Sequence, residues 1–331
     1  MQASDIKEKA LQLGYTACGI IPADALDEYN THVEARMQAY PQAAELNEPL
    51  QSRVCLPDTA KSIIVCTRGY NQYQVPDSLR NRIGKYYLFH GSIPYAEASR
   101  AKDEFTMYLR VAGMGLHKLS PPARWAAAKA GIGKFGRNNF IFTLEHGSYV
   151  ALDTWVVDAT LTYDTLADDM LMPGCVEGCK KCVHACPTQS LTDSFSMDWS
   201  KCITHLMYKK HLLKTSEREQ MGQWLYGCDA CQDACPLNHG KLSACEPFPL
   251  LTAFEPHLTL EAIWEMDEDT YTEVLYPRFW YARQDGLITW KRNALRAMIN
   301  TNDEKYHPII REALNHTDPV IRELAKWGMG I

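Results

Sequence analysis

Eight of the twelve cysteines in this 331-residue chain fall between Cys175 and Cys235, and their spacing constrains the fold more than any apolar pattern does. The first run is Cys175-Val-Glu-Gly-Cys179-Lys-Lys-Cys182-Val-His-Ala-Cys186-Pro187. The second is Cys228-Asp-Ala-Cys231-Gln-Asp-Ala-Cys235-Pro236, and Cys202 lies between them. Each run ends in the C-x2-C-x3-C-P spacing that wraps a 4Fe-4S cube, with the cysteine before proline reaching the neighbouring cube. A segment built around two cubes is expected to be short on helices and strands, because the cubes replace a hydrophobic core.

Counting ligands gives an assignment. Cys175, Cys179 and Cys182 supply one cube, completed by Cys235. Cys228 and Cys231 supply the other, with Cys186 crossing back. That second cube is one ligand short, and Cys202 is the natural donor. Two zinc sites also use eight thiolates, but paired C-x2-C-x3-C-P runs are poor zinc spacing. One irregularity stands out: three residues separate Cys175 from Cys179, which makes Cys175 the weakest of the eight assignments. The chemistry expected of such a pair is low-potential, one-electron transfer.

Size and charge narrow the class. The length suggests two or three domains, and 46% hydrophobic with 22% charged residues is ordinary for a globular protein. A formal net charge of −6 does not favour nucleic acid over the whole surface. No apolar run is long enough to span a membrane, and the start lacks the apolar stretch of a secretion signal. Twelve cysteines in such a chain argue for metal ligation in a reducing cytoplasm. Cys66, inside Ser-Ile-Ile-Val-Cys, reads as a small core residue.

Residues 1–170 read as an α/β domain. Ser4 or Asp5 caps a first helix that ends before Gly14. Residues 63–67 read as a buried strand and 96–112 as a helix ending at Gly113. An Ala-rich helix over 123–130 follows Pro121-Pro122. Residues 140–143 and 149–161 read as strands around a turn at His146-Gly147. Residues 171–245 form the ferredoxin-like dicluster module. The stretch 261–273 holds six acids and no base, and reads as a solvated surface helix. In the segment 246–331, residues 290–300, 306–315 and 319–328 read as short amphipathic helices resembling a single HEAT-like unit. One unit cannot stack on itself, so it must dock on what precedes it. Lys291 and Arg292 give this tail a weak basic bias that suits an RNA contact or a solvated face.

The run Ala130-Gly-Ile-Gly-Lys-Phe-Gly-Arg-Asn138 adds a second motif. Gly131, Gly133 and Gly136 remove side chains where the backbone must approach something flat or bulky. The string follows an Ala-rich helix instead of joining a strand to a helix, so it fails the context of a dinucleotide fingerprint. Gly147-Ser148 reads either as a plain β-turn or as a donor of backbone and hydroxyl contacts.

These motifs, with Cys186-Pro187-Thr188 and Gly227-Cys228-Asp229 through Cys235-Pro236-Leu237-Asn238, resemble epoxyqueuosine reductase. That family forms a cobalamin-dependent iron–sulfur superfamily with the reductive dehalogenases. The resemblance runs from about Arg53 to the tail. It implies a nitroreductase-like fold for the N-terminal domain, with base-off cobalamin between that domain and the clusters. It also implies electron flow through the cubes to cobalt and reduction of an epoxide on a tRNA base to an alkene. The corrin contacts it implies fall on Gly131, Gly133, Gly136, Arg137, Asn138, Gly147 and Ser148. The partners it implies are a low-potential donor of ferredoxin or flavodoxin type, and tRNA.

The chain departs from the family in one respect that matters. The family's catalytic Asp, about a dozen residues before the glycine motif, maps onto His117, and no carboxylate lies between Gly113 and Lys129. His117 becomes the candidate acid, since imidazole donates a proton near neutral pH. Tyr86, Tyr87 and Tyr95 are further candidates for a pocket donor, or core residues. Two other readings stay open: a corrinoid reductase acting on a different small substrate, and an electron-transfer protein that reduces a partner's corrinoid.

Overall fold

The strand Ser62–Gly69 (β2) is buried along its whole length, which explains its near-continuous apolar sequence. In the computed structural model, which describes residues 2–41, 54–89, 96–192, 195–243, 246–279 and 282–331, this strand lies inside a mixed α/β unit. It pairs antiparallel with Ala17–Pro22 (β1) on one side and Val150–Val157 (β7) on the other, and Leu116–His117 (β4) pairs with the far edge of β7. The sheet order is β1-β2-β7-β4. Two-residue strands Tyr73–Gln74 (β3) and Glu246–Pro247 (β8) pair in parallel, and Lys134–Phe135 (β5) pairs with Ile141–Phe142 (β6).

Alternation sends β2 side chains to two cores. Ile63 and Val65 join Ile21, Val156 and the Ala-rich helix Ala123–Lys129 on one face. Ile64 and Cys66 join Ile20, Trp155 and the helices Ala3–Gln12 and Glu97–Val111 on the other. Ile63 and Ile64 are fully buried, each contributing about 1.5–3 kcal/mol. The α/β expectation holds, and Cys66 is a core residue. The first helix is closed differently from the expectation: Gln2 is its N-cap, and the Asp5 carboxylate reaches back to accept the Gln2 N–H at 2.9 Å.

The strand expected over 149–161 stops at Val157, and the one over 140–143 shrinks to Ile141–Phe142. The cysteine segment carries only short helical turns, such as Pro173–Val176, Lys181–Ala185, Ile203–Leu206 and Ala230–Asp233.

The tail docks, and it does so deeply. One apolar core joins Tyr70, Leu88 and Tyr149 to Leu206, Leu225 and Tyr226. It then runs on through Leu260, Trp290 and Leu295 to Ala325. It crosses the boundaries near residues 170 and 245. The helices Leu287–Thr301, His307–Glu312 and Pro319–Met329 form its outer wall.

The acidic stretch 261–273 corrects the solvated-helix reading. It breaks into Leu260–Glu265, Glu268–Thr270 and a wide turn Tyr271–Leu275, with Ile263, Trp264, Met266, Tyr271 and Leu275 buried. Its acids line the wet side, while apolar residues at interleaved positions reach the core. Among the described residues, no helix is long and apolar enough to cross a membrane.

Candidate functional site

The eleven described cysteines are all free. Among the eight cysteines from Cys175 to Cys235, the thiols that act on one another fall into two sets of four. Burial, then Cys235, Cys175 and Cys179, push the Cys182 thiol up to about 11. Burial, then Cys175 and Cys179, raise Cys235. Burial raises Cys231 well above the ordinary thiol range, with Cys228, Cys202 and Cys186 adding to it. Cys228 is raised by burial, Asp229, Cys202 and Cys186. Cys202 is raised by burial and Cys186, while hydrogen bonds from Thr204 and His205 pull it back.

In every case the neighbouring thiols belong to one set: 175, 179, 182 and 235, or 186, 202, 228 and 231. Four thiolates held close together repel one another unless a cationic iron core sits among them, and that is the chemistry of this donor set. The extra residue between Cys175 and Cys179 is absorbed at Gly178, whose φ of +108° lies where only glycine is at ease. Cys186 Sγ accepts the Ser190 N–H at 3.3 Å, a bond of the kind that tunes cluster potential.

The glycine motif turns out to clasp both cysteine loops. Arg137 Nε donates to the Cys179 carbonyl at 2.9 Å and its Nη2 to the Cys175 carbonyl at 2.5 Å. Its guanidinium lies 4.5 Å from the Phe195 ring centroid. The next residue, Asn138, donates to the Cys231 carbonyl at 3.3 Å. One dipeptide therefore ties the first set to the second. A Cβ at Gly133 would run into Ile141, and one at Gly136 into Phe142. Those two glycines admit the β5–β6 hairpin. Gly131 differs: its φ is +71° and a Cβ there would meet nothing within 4 Å.

Gly147 and Ser148 form a latch to the second run. A Cβ on Gly147 would strike Asn238 Oδ1. The Ser148 N–H donates to that oxygen at 2.9 Å, and its hydroxyl donates to Gln232 Oε1 at 2.8 Å. Asn238 Nδ2 returns a bond to Ser148 Oγ at 2.8 Å. The turn reading holds, and both Ser148 donors are engaged inside the protein.

His117 sits on β4 opposite Val156, while Ser148 and Tyr149 at the other end of β7 meet the second cysteine run. Its buried Nε2 has no hydrogen-bond partner among the described residues. Tyr86 and Tyr87 are half-buried in an aromatic stack with Tyr70 and Tyr226. Tyr95 lies outside the described residues. Arg292 is engaged within the protein: it grips Asp318 through Nε at 3.2 Å and Nη2 at 2.5 Å, and donates to the Lys210 carbonyl.

Sequence reading missed the residues that brace the second set. Lys85 pairs with Asp229 at 3.3 Å and Asp233 at 2.5 Å. Arg296, 1% exposed, donates to the Gly222 and Trp224 carbonyls. Asn293 donates to the Met207 and Leu225 carbonyls, and Asn300 to those of Arg218 and Gly222. Positions 293, 296 and 300 share one helix face, so a polar stripe inside an apolar helix was the signal available.

Residues 175–238 match the model of the 4Fe-4S double cluster binding domain. Epoxyqueuosine reductase of Cellulophaga algicola is 29% identical, covering 82% of this chain and 89% of that protein. The protein of the same name from Cyclobacterium marinum is 31% identical, covering 81% and 88%. The solved structure of epoxyqueuosine reductase from Bacillus subtilis, with its catalytic loop swung out of the active site, superposes with a TM-score of 0.80 at 26% identity. It covers 99% of this chain and 89% of that one. A crystal structure of epoxyqueuosine reductase with an epoxyqueuosine-modified tyrosine-tRNA stem loop gives 0.80 at 25% identity, with the same coverage. Relatives matched along most of both lengths, together with the paired cysteine sets, lead to one conclusion: this chain belongs to the epoxyqueuosine reductase family.

Proposed function

We propose that the chain is an iron–sulfur oxidoreductase that reduces the epoxide of epoxyqueuosine in tRNA to an alkene. Two electrons and two protons enter, and the oxygen leaves as water. The observation that carries this reading is the sorting of eight thiols into two fours, clasped by Arg137 and Asn138. Cys175, Cys179, Cys182 and Cys235 would hold one cube; Cys186, Cys202, Cys228 and Cys231 would hold the other. Bound there, the cubes supply one-electron transfer from a donor of ferredoxin or flavodoxin type. The chain's own part is to fix the carbonyls of both loops through Arg137 and Asn138, and to brace the second run through Lys85.

Cobalamin enters through the family resemblance and a nitroreductase-like reading of the sheet domain. Two features at separate places are open to a bound group: the backbone at Gly131, and the unpartnered Nε2 of His117 at the far end of β7 from the second cysteine run. When bound, the corrin would supply a low-valent, nucleophilic cobalt. His117 would hold a proton at Nε2 for the departing oxygen. A smaller electrophile is the second reading, favoured by the missing carboxylate before the glycine motif and by the engagement of Arg292 with Asp318.

The test is anaerobic reconstitution with iron, sulfide and cobalamin, followed by turnover of an epoxyqueuosine-containing stem loop under a low-potential reductant. Retention of both cubes and cobalamin, with loss of one oxygen from the base by mass spectrometry, is the expected result. His117→Phe should abolish that loss while leaving iron and cobalamin content unchanged. Full cofactor loading with no change in the base would turn the assignment to a smaller substrate. Two cubes without retained cobalamin would make the chain an electron carrier.

A further inference from the structure

Lys85 lies outside both cysteine runs and outside the glycine motif, at the start of the short helix Lys85–Phe89. Its side chain is 13% exposed. Its backbone N–H donates to Asp229 Oδ2 at 2.7 Å, and Nζ donates to the same oxygen at 3.3 Å and to Asp233 Oδ1 at 2.5 Å. Nζ is 5.6 Å from the Tyr149 ring centroid, and the Tyr149 hydroxyl donates to Asp233 at 3.5 Å. Gln232 Nε2 donates to the other Asp229 oxygen at 3.2 Å.

Asp229 directly follows Cys228, and Asp233 lies midway between Cys231 and Cys235. Two carboxylates are thus built into the loop that wraps the second set. A cube with four thiolates is itself negative, and one more electron makes it more so. In a buried, weakly screened place, neighbouring carboxylates oppose that electron. Burial works against the Lys85 charge, but Asp229 and Asp233 outweigh it and hold the ammonium above its ordinary range. The first set has its own cation, Arg137, on the Cys175 and Cys179 carbonyls. Lys85 is the counterpart for the second.

We propose that Lys85 sets the reduction potential of the second cube, its buried ammonium offsetting Asp229 and Asp233 so that this cube accepts an electron within reach of the first. The proposal rests on the assignment of Cys186, Cys202, Cys228 and Cys231 to that cube. Lys85 is a positioning residue for charge, supplied by the N-terminal half to a cluster bound by the C-terminal half.

The experiment is a potentiometric titration of the reconstituted full-length chain, read by electron paramagnetic resonance, with iron and sulfide analysis on each variant. The wave of the second cube is the one displaced by Cys202→Ser. In Lys85→Met that wave should move to lower potential with iron content unchanged. The ratio of reduced to oxidised second cube at the native midpoint should fall about tenfold, or about 59 mV for one electron. Lys85→Arg should restore it. Asp233→Asn, which leaves Lys85 in place, should move the same wave upwards, and it keeps the test alive if Lys85→Met does not hold iron. Unmoved waves in fully loaded variants, or equal movement of both waves, would overturn the role of Lys85. A native chain with about half the iron of two cubes and a single wave would instead overturn the cluster assignment beneath it.

Discussion

The two sets of four thiols are held in opposite ways. The first is a loop site. Its leading helix, Pro173–Val176, is one turn long, Val176 is 58% exposed, and Arg137 is the side chain that fastens its carbonyls. The second is seated on the largest core of the molecule, where Cys228 packs against a cluster that includes Leu225, Tyr226 and Trp290. From behind, Asn293, Arg296 and Asn300 fasten the carbonyls of residues 218–225. From the front, Lys85 and the Ser148–Asn238 latch fasten residues 229–238. The contrast shows how one cysteine spacing can serve two purposes: the first set is fastened within its own loops by Arg137, and the second is part of what holds the two halves of the chain together.

That contrast can be broken by removing one ligand from each set. Cys231→Ala should be the most damaging change: the second cube is lost, the core behind it loosens, and unfolding becomes easier by more than about 4 kcal/mol. Cys175→Ala should halve the iron content yet cost only about 1–2 kcal/mol, since little of the core leans on that loop. Equal losses of stability in the two variants, measured by anaerobic thermal unfolding, would erase the distinction. Cys235→Ala sharpens it further. Although it lies in the second run, it should remove the first cube and spare the second.

Smaller effects test the outer wall of the second site. Arg292→Met leaves Asp318 without its bidentate partner in a half-closed setting. It should cost about 2 kcal/mol without changing the salt dependence of RNA binding. A shallower salt slope would return Arg292 to the RNA interface. The smallest effect expected is at His316, whose Nδ1 accepts the Asp318 N–H at 3.0 Å. Burial lowers its pKa, so the folded state keeps the ring neutral where the unfolded chain binds a proton. Its contribution is therefore present above the ordinary histidine value and is lost as pH falls through the folded one. His316→Gln should flatten the fall in melting temperature over that acid range by about half a degree, on the order of a few tenths of a kcal/mol.

Local signals explain what was legible in the sequence. The buried strand at 63–67, the helix closed at Gly113 and the Ala-rich helix after Pro122 all emerged within a residue or two. Two cubes were legible because their signature is a pair of short spacings, and residues 175–238 match the 4Fe-4S double cluster binding domain. What stayed hidden depends on long-range partners. Nothing near Lys85 announces Asp229, which lies 144 residues away. Gly133 and Gly136 carried a real signal of close approach, but the approaching group was the chain's own Phe142 hairpin. Arg292 looked basic and free because Asp318 lies 26 residues on, across a helix pair.

The polar stripe on the helix Leu287–Thr301 has a consequence for how this protein is made. A growing chain presents Cys186, Cys202, Cys228 and Cys231 to the cell long before Asn293, Arg296 and Asn300 have been synthesised. Until they arrive, the carbonyls of residues 218–225 have no seat, and the pocket for the second cube lacks its back wall. Completion of that back wall therefore waits until the tail has left the ribosome, whereas the loops of the first set are complete once Cys235 has emerged.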